Sequence, residues 1–368
     1  MSSPAATSAR RARPDIRPPA AIDAAWLGAV LREGGVDAVV DGFEARPIGT
    51  GQIGDSVRFA LRYAHAPSSA PASLVGKFPS AGAESRAAGV ALGNYLREVR
   101  FYQELAPTAR ISTPRCWFAD VDAATSDFVL IMEDLAPAAP GDQLKGVSLD
   151  QARAVIVEAA RLHASHWNDP LLDTLPWVSG SKAAPASAAT GESVAMLWAA
   201  FKARYAARLE PRWAAVGDAL TANIGAFMTH REGPRCLTHN DFRPDNMMFA
   251  TAAGGRSVTV LDWQSFAYGV GATDVAYFLA GALPADTRRA AEPELLALYH
   301  RTLAAEGVSG YAPDALWRDY RRGGYLLFLT AFFAAMIVTQ TPRGDDMFIQ
   351  MLSSAAEHML EHGALDPS

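Results

Sequence analysis

Cysteine is almost missing from this chain: there are two in 368 residues, Cys116 and Cys236, far apart and without metal-ligand spacing. A disulfide framework or a zinc site is therefore not expected, and a reducing cytoplasm fits best. Positive charge is not in excess either. Lys and Arg number 33 against 39 Asp and Glu, a net charge of −6, so no basic field recruits nucleic acid. No apolar run reaches the roughly 18–20 residues that a membrane-spanning helix needs. The most apolar stretch, Tyr325 to Val338, is shorter and reads as a buried core helix, so no membrane insertion is expected. The first twenty residues carry arginine, proline and alanine but no secretory apolar region, and read as a basic, flexible tail. What is present is apolar bulk. Half the residues are hydrophobic, enough for one large domain or two to three smaller ones.

Periodicity divides the chain near residue 135. Residues 22–40 start with helical spacing and stop at Gly34-Gly35. Alternation then predicts strands at Phe43 to Ile48, Val57 to Tyr63 and Leu74 to Phe78, separated by Gly-rich or Pro/Ser-rich turns. A helix of about eighteen residues is predicted from Gly89 to Leu105, preceded by Glu84, with further strands at Cys116 to Val121 and Phe128 to Met132. Beyond the Pro137, Pro140 and Gly141 linker, helices dominate. They are expected at Leu149 to Trp167, Val194 to Arg208 and Trp213 to His230. Residues 179–192 read as a Ser/Ala/Gly-rich loop. No repeat is visible. The expected fold class is α+β: a tail at 1–20, a sheet-bearing lobe at 21–135 and a mostly helical lobe at 136–368.

Chemistry concentrates in residues 236–264, where His239-x-Asp241 is followed after four residues by Asn246, and a predicted strand from Ser257 to Leu261 ends at Asp262. Phosphoryl transfer needs a carboxylate to orient the acceptor hydroxyl and oxygen ligands to hold Mg²⁺ across the phosphates. Asp241 suits the first role; Asn246 and Asp262 suit the second, because Mg²⁺ prefers hard oxygen donors. One acidic residue alone would be ordinary solvated surface. The ordered set is far more specific.

Two further parts lie upstream. Gly49-x-Gly51-x-x-Gly54 is weak evidence alone, since dinucleotide-binding folds share its spacing. There a helix would follow the last glycine, whereas Val57 to Tyr63 alternates as a strand, so a glycine hairpin over phosphates fits better than a dinucleotide site or a plain turn. Lys77 ends the next strand, where a phosphate-binding lysine is expected and an edge lysine is the bland alternative. Of its possible partners Glu84, Glu98 and Glu104, only Glu98 falls within the helical arc of Tyr95, Tyr102 and Leu105.

In this order the chain resembles the aminoglycoside phosphotransferase and choline kinase superfamily, and within it the bacterial relatives of ecdysteroid-kinase-like proteins. The resemblance covers roughly residues 44–360 and rests on THNDFRPDN, VLDWQ followed by DVAYFL, EVRFYQEL and IMEDLAP. It implies a two-lobed protein-kinase-like fold, with ATP and Mg²⁺ as cofactors. It also implies Asp241 as catalytic base, Asn246 and Asp262 on Mg²⁺, Met132 and Glu133 beside adenine, and Asp274 bracing the catalytic loop. Two departures stand out: Asn240 replaces the usual glycine, and Trp263-Gln264 replace Phe-Gly. Arg243 stands where protein kinases often place a lysine near the transferred phosphate; a loop-surface arginine is the alternative.

Only twelve positions separate Asp262 from Asp274, too few for a peptide-binding platform, so the expected partner is a small-molecule hydroxyl. Trp198, Phe201 and Tyr205 have spacing that either lines a cleft or joins the core, and the mild apolar character favours a hydrophobic alcohol. Asp345 and Asp346 could reach the acceptor or start a helix. His163 and His166 read as packing residues before a metal pair. The competing function is a catalytically silent nucleotide-binding regulator of the same fold.

Overall fold

The computed structural model describes residues 13–49, 53–185, 191–229 and 233–365. The fold is α+β, divided into two compact units: residues 1–89 with 115–134, and residues 90–114 with 135–368.

The first unit is a five-stranded antiparallel sheet under one helix. Helix α1 (Ala24–Glu33) is started by Asp23, whose carboxylate accepts from the backbone N–H of Trp26 at 2.7 Å. It buries Trp26, Leu27, Val30 and Leu31 along one stripe. The strands are β1 (Val39–Ile48), β2 (Gly54–His65), β3 (Ser73–Pro79), β4 (Cys116–Val121) and β5 (Phe128–Glu133), in spatial order β1-β2-β3-β5-β4. Alternation on β3 sends Leu74 and Phe78 into the core beneath α1, with Phe59, Phe118, Val129 and Ile131. Lys77 therefore lies on the opposite face, with its register partners Ser56 and Leu130; Val75 pairs there with Met132.

The sequence-predicted helix from Gly89 to Leu105 is in fact three pieces: α2 (Ala83–Ala91), α3 (Asn94–Arg100) and a π-helical turn at Phe101–Leu105. The cause is Gly93, whose φ of 66° is left-handed and ends the first segment. Glu84 sits in the first turn of α2, not before the helix.

The second unit is mostly helical. Helix α4 (Leu149–Ser165) opens with a reciprocal capping box between Ser148 and Gln151. After it come α5 (Gly191–Arg204), α6 (Pro211–Ala222) and α7 (Ile224–Thr229). The latter two replace the single predicted helix from Trp213, because Asn223 turns its amide back onto the Ala219 carbonyl at 3.0 Å. Two small sheets frame the loop at residues 239–246. One pairs β7 (Cys236–Thr238) with β10 (Ala267–Gly269); the other joins β6 (Ala139–Pro140), β8 (Met247–Thr251) and β9 (Gly254–Val260). Helices α8 (Ala272–Ala282), α9 (Ala285–Ala305), α10 (Pro313–Ile337) and α11 (Pro342–Glu361) complete the unit.

Helix α10 packs against α8, α11 and α5, and two adjacent glycines permit it. A Cβ at Gly323 would fall 2.8 Å from Ala276 on α8, and one at Gly324 would strike the His358 ring on α11. The apolar run at Tyr325–Val338 belongs to this packed helix, and among the described residues no helix is long and apolar enough to cross a membrane. Trp198, Phe201 and Tyr205 are buried with Phe328 and Phe332 in the same core. They line no cleft.

Candidate active site

The loop after β7 carries His239, Asn240 and Asp241, and its shape is imposed from below. Asp274, fully buried in the first turn of α8, accepts the backbone N–H groups of His239 at 2.6 Å and Asn240 at 2.9 Å. Nε2 of His163 lies 3.2 Å from the same carboxylate, and its Nδ1 lies 2.7 Å from the Tyr299 hydroxyl. His166, which caps α4, meets Thr108 and Asp169 instead, so the two histidines serve different packing networks. His239 accepts the Asp241 N–H on Nδ1 at 3.3 Å and reaches the Leu261 carbonyl from Nε2 at 2.8 Å. That links the loop to the strand that ends at Asp262.

Asn240 and Asp262 both have a φ of 64°. Left-handed backbone is unfavourable for side chains other than glycine, with asparagine and aspartate the best tolerated. The Asn240 departure from glycine is thus the substitution that the backbone accepts most easily. Two non-glycine outliers in one short region mark a place where the surroundings hold strain.

The Asp241 carboxylate receives three donors: Tyr277 Oη at 2.8 Å and Arg243 Nε at 3.0 Å on Oδ1, and Asn246 Nδ2 at 2.7 Å on Oδ2. Burial alone would raise its pKa, but the Arg243 guanidinium and the hydrogen bonds from Tyr277 and Asn246 outweigh that and hold it below the usual carboxylate range. Arg243 is itself anchored, donating to Asp245 at 2.8 Å and to Met347 Sδ at 3.1 Å. Its guanidinium is a fixed part of the loop. The N–H of Leu261 donates to the Asn246 carbonyl at 2.8 Å, so β9 delivers Asp262 next to Asn246.

The donor set suits a hard divalent cation. Asn246 commits its amide nitrogen to Asp241, leaving its amide oxygen as a ligand, and Asp262 offers a carboxylate; both donors are oxygen. Asp262 is steadied by Gln264 Nε2 at 3.1 Å. Trp263, which replaces the usual phenylalanine, stacks on Phe101 with centroids 3.9 Å apart and planes 6° apart, and donates its indole N–H to Thr113 at 3.0 Å. The larger ring is absorbed in the core.

The other sequence-derived residues are distributed between the units. In the first unit, Gly49 closes β1 with a φ of 73°, and Gly51 lies outside the described residues. Gly54 opens β2 opposite Pro79, and a Cβ there would come 3.0 Å from the Phe78 carbonyl and 3.4 Å from Lys77 Cε. The hairpin end and the lysine are thus neighbours. Met132 and Glu133 end β5, where Glu133 accepts the Arg115 N–H at 3.1 Å. Just beyond, Asp134 is clamped by Arg58 at 2.7 Å and Ser73 at 2.6 Å. In the second unit Glu98 is buried on α3. Asp345 and Asp346 do not reach the site: they bind Tyr205 at 2.6 Å and Arg208 at 2.9 Å, and the helix cap is Thr341.

Sequence reasoning missed Tyr277. It lies in a run, DVAYFLAGAL, that reads as uniformly apolar; every residue of α8 is buried, so periodicity singled out none.

Comparison with known proteins fits this geometry. A model of the phosphotransferase enzyme family matches residues 45–317, and the chain belongs to that family. It is a phosphotransferase. Among solved structures it is similar to a candidate aminoglycoside phosphotransferase of Ralstonia eutropha JMP134, at 16% identity over 91% of this chain and 97% of that one, with a TM-score of 0.51. A microcompartment-associated aminopropanol kinase matches at 13% identity over 89% and 95% of the two chains, with a TM-score of 0.49. An ethanolamine kinase of Plasmodium vivax matches at 11% over 85% and 82%, with a TM-score of 0.48. At such identities the likeness bears on the fold alone. No curated protein matches the sequence.

Proposed function

We propose that the chain is an ATP- and Mg²⁺-dependent kinase that phosphorylates a hydroxyl of a small molecule with apolar character, nearest in kind to the ecdysteroid-kinase-like proteins. The observation that carries it is the Asp241 carboxylate, kept ionised by three donors and flanked by the two oxygen ligands Asn246 and Asp262. In this reading Asp241 orients the acceptor hydroxyl and takes its proton as the new P–O bond forms and the bond to the β-phosphate oxygen breaks, releasing ADP. Arg243 holds Asp241 in place and adds positive charge beside the transferred group. Asn246 and Asp262 would hold Mg²⁺, which when bound neutralises charge on the phosphate oxygens. Gly49, Gly51, Gly54, Lys77 and Glu98 form the phosphate-binding set, with Met132 and Glu133 at the adenine. Residues 21–135 then serve chiefly the nucleotide, and residues 136–368 the chemistry and most of the acceptor. The scarcity of cysteine, with Cys116 and Cys236 both free, supports a reducing, cytoplasmic setting.

The test is transfer of label from γ-labelled ATP to hydroxylated small molecules, with the Asp241→Asn protein alongside. Loss of transfer by about 10²–10⁴-fold, with Mg-ATP binding retained, supports the kinase. Wild type and variant equally inert toward every acceptor, yet both binding Mg-ATP, would favour the silent regulator instead.

A further inference from the structure

A cavity of about 1270 Å³ opens in the second unit beside the catalytic loop, with Asn240, the chain neighbour of Asp241, in its wall. Its apolar surface comes from side chains such as Trp177, Leu326 and Leu329. Among the described residues its charged lining is lopsided: Arg97, Lys182, Arg235 and Arg322 against the carboxylate of Asp319. Most of these charges are already engaged. Arg235 pairs with Asp173 at 3.1 Å, lies over the Tyr268 ring at 4.0 Å and donates to the Gly180 and Tyr268 carbonyls. Lys182 shares the same Asp173 at 2.9 Å. Asp319 accepts the Tyr311 hydroxyl at 2.7 Å. Arg322 lies 5.8 Å from the Phe227 ring.

Arg97 is different. It projects from α3, and its guanidinium donates to two backbone carbonyls, Gln264 at 2.7 Å and Leu92 at 2.8 Å. Among the described residues it meets no carboxylate. Burial presses its pKa down, as expected of a desolvated cation with no acid beside it. A guanidinium has five N–H donors in a rigid fork, and two bonds leave part of that fork for a planar acid.

Such a cavity is wrong for a polycation. An aminoglycoside or a choline-like acceptor needs carboxylates or an aromatic cage; here, among the described residues, cations outnumber acids even when Asp173 is added, and the Phe227 and Tyr268 rings in the wall already face the Arg322 and Arg235 guanidinium groups. We infer that the acceptor is an amphipathic anion: an apolar skeleton bearing the hydroxyl to be phosphorylated and, away from it, an acidic group received by Arg97. This rests on the kinase reading above and narrows its substrate class.

The test uses three probes of equal length: ω-hydroxydodecanoate, dodecanediol and ω-aminododecanol. Calorimetric titration of the wild-type protein should rank them acid, diol, amine, with about tenfold or more between acid and diol, the value of one charge-assisted contact. Arg97→Met should erase the gap between acid and diol while leaving diol affinity within about twofold. The wild-type series stands even if that variant fails to fold. Equal affinities, a preference for the amine, or no binding of any probe would overturn the inference. Because binding is read without turnover, tight binding of the acid with no phosphoryl transfer would support this subsite and count against the kinase reading alone.

Discussion

The Tyr277 hydroxyl donates to Asp241 Oδ1 across 2.8 Å, from a position one turn along α8 from Asp274. One face of one helix therefore fixes both the backbone of the catalytic loop and the carboxylate at its tip. Removing the phenol takes away one of the bonds that offset burial at Asp241. Tyr277→Phe should lower kcat by about tenfold with little change in the KM for ATP. Its acidic limb should move to higher pH, because the carboxylate loses a donor that favours the ionised form. An unmoved limb would assign Tyr277 to packing only.

Asp274→Ala should be felt in stability before chemistry. The N–H groups of His239 and Asn240 would be left buried without an acceptor, along with His163. The expected loss is about 3 kcal/mol or more in denaturant unfolding. Asp274→Asn keeps one acceptor oxygen and should fall between the two. Equal stabilities for all three proteins would remove Asp274 from its bracing role.

The left-handed backbone at Asn240 gives a third expectation. Asn240→Gly should be neutral or slightly stabilising, whereas Asn240→Ala should cost about 1–2 kcal/mol. Thermal melts of the pair would show it; an alanine variant as stable as the glycine one would mean that the loop carries no strain there.

Acid should weaken the fold early. Burial, with His362 and Arg288 nearby, pushes His358 down from its ordinary 6.5 to about 3. The native state thus refuses a proton that the unfolded chain accepts, so the contribution is whole above pH 6.5 and is lost as pH falls towards 3. Glu292 adds to this lower down. Burial opposes its ionisation, yet hydrogen bonds from His362 and Tyr320 and the charge of Arg288 bring it to about 2, so its share is whole above 4.5 and lost towards 2. The melting temperature should decline from pH 6.5 downwards, and His358→Gln should flatten the part above pH 4.5. A wild-type melting temperature that is level from pH 6.5 to 4.5 would contradict this.

Where the sequence was legible, the signals were local. Patterns bounded by glycine and proline located β1 to β5, and the spacing of His239, Asp241 and Asn246 survives as contacts within one tight loop, with the Leu261 bond to Asn246 bringing the chain at Asp262 alongside. What was illegible depends on partners distant in sequence. Trp198, Phe201 and Tyr205 fit a cleft or a core equally well by spacing, and only the packing of α10 decides for the core. The break at Gly93 looked like helix interior because its flanks keep a helical period. The lopsided lining of the cavity draws on segments more than two hundred residues apart, from Arg97 to Arg322.

The short connection from Asp262 to Asp274 has a consequence for control. Trp263, Phe266 and Tyr268 are buried along it, β10 is bonded to β7, and the Tyr268 N–H donates to the Ser179 carbonyl at 2.8 Å. A segment moored at so many points offers a modifying enzyme nothing to order or melt, unlike loops that switch by phosphorylation. In the kinase proposed above, throughput would then follow the supply of acceptor and nucleotide and not a rearrangement of this segment.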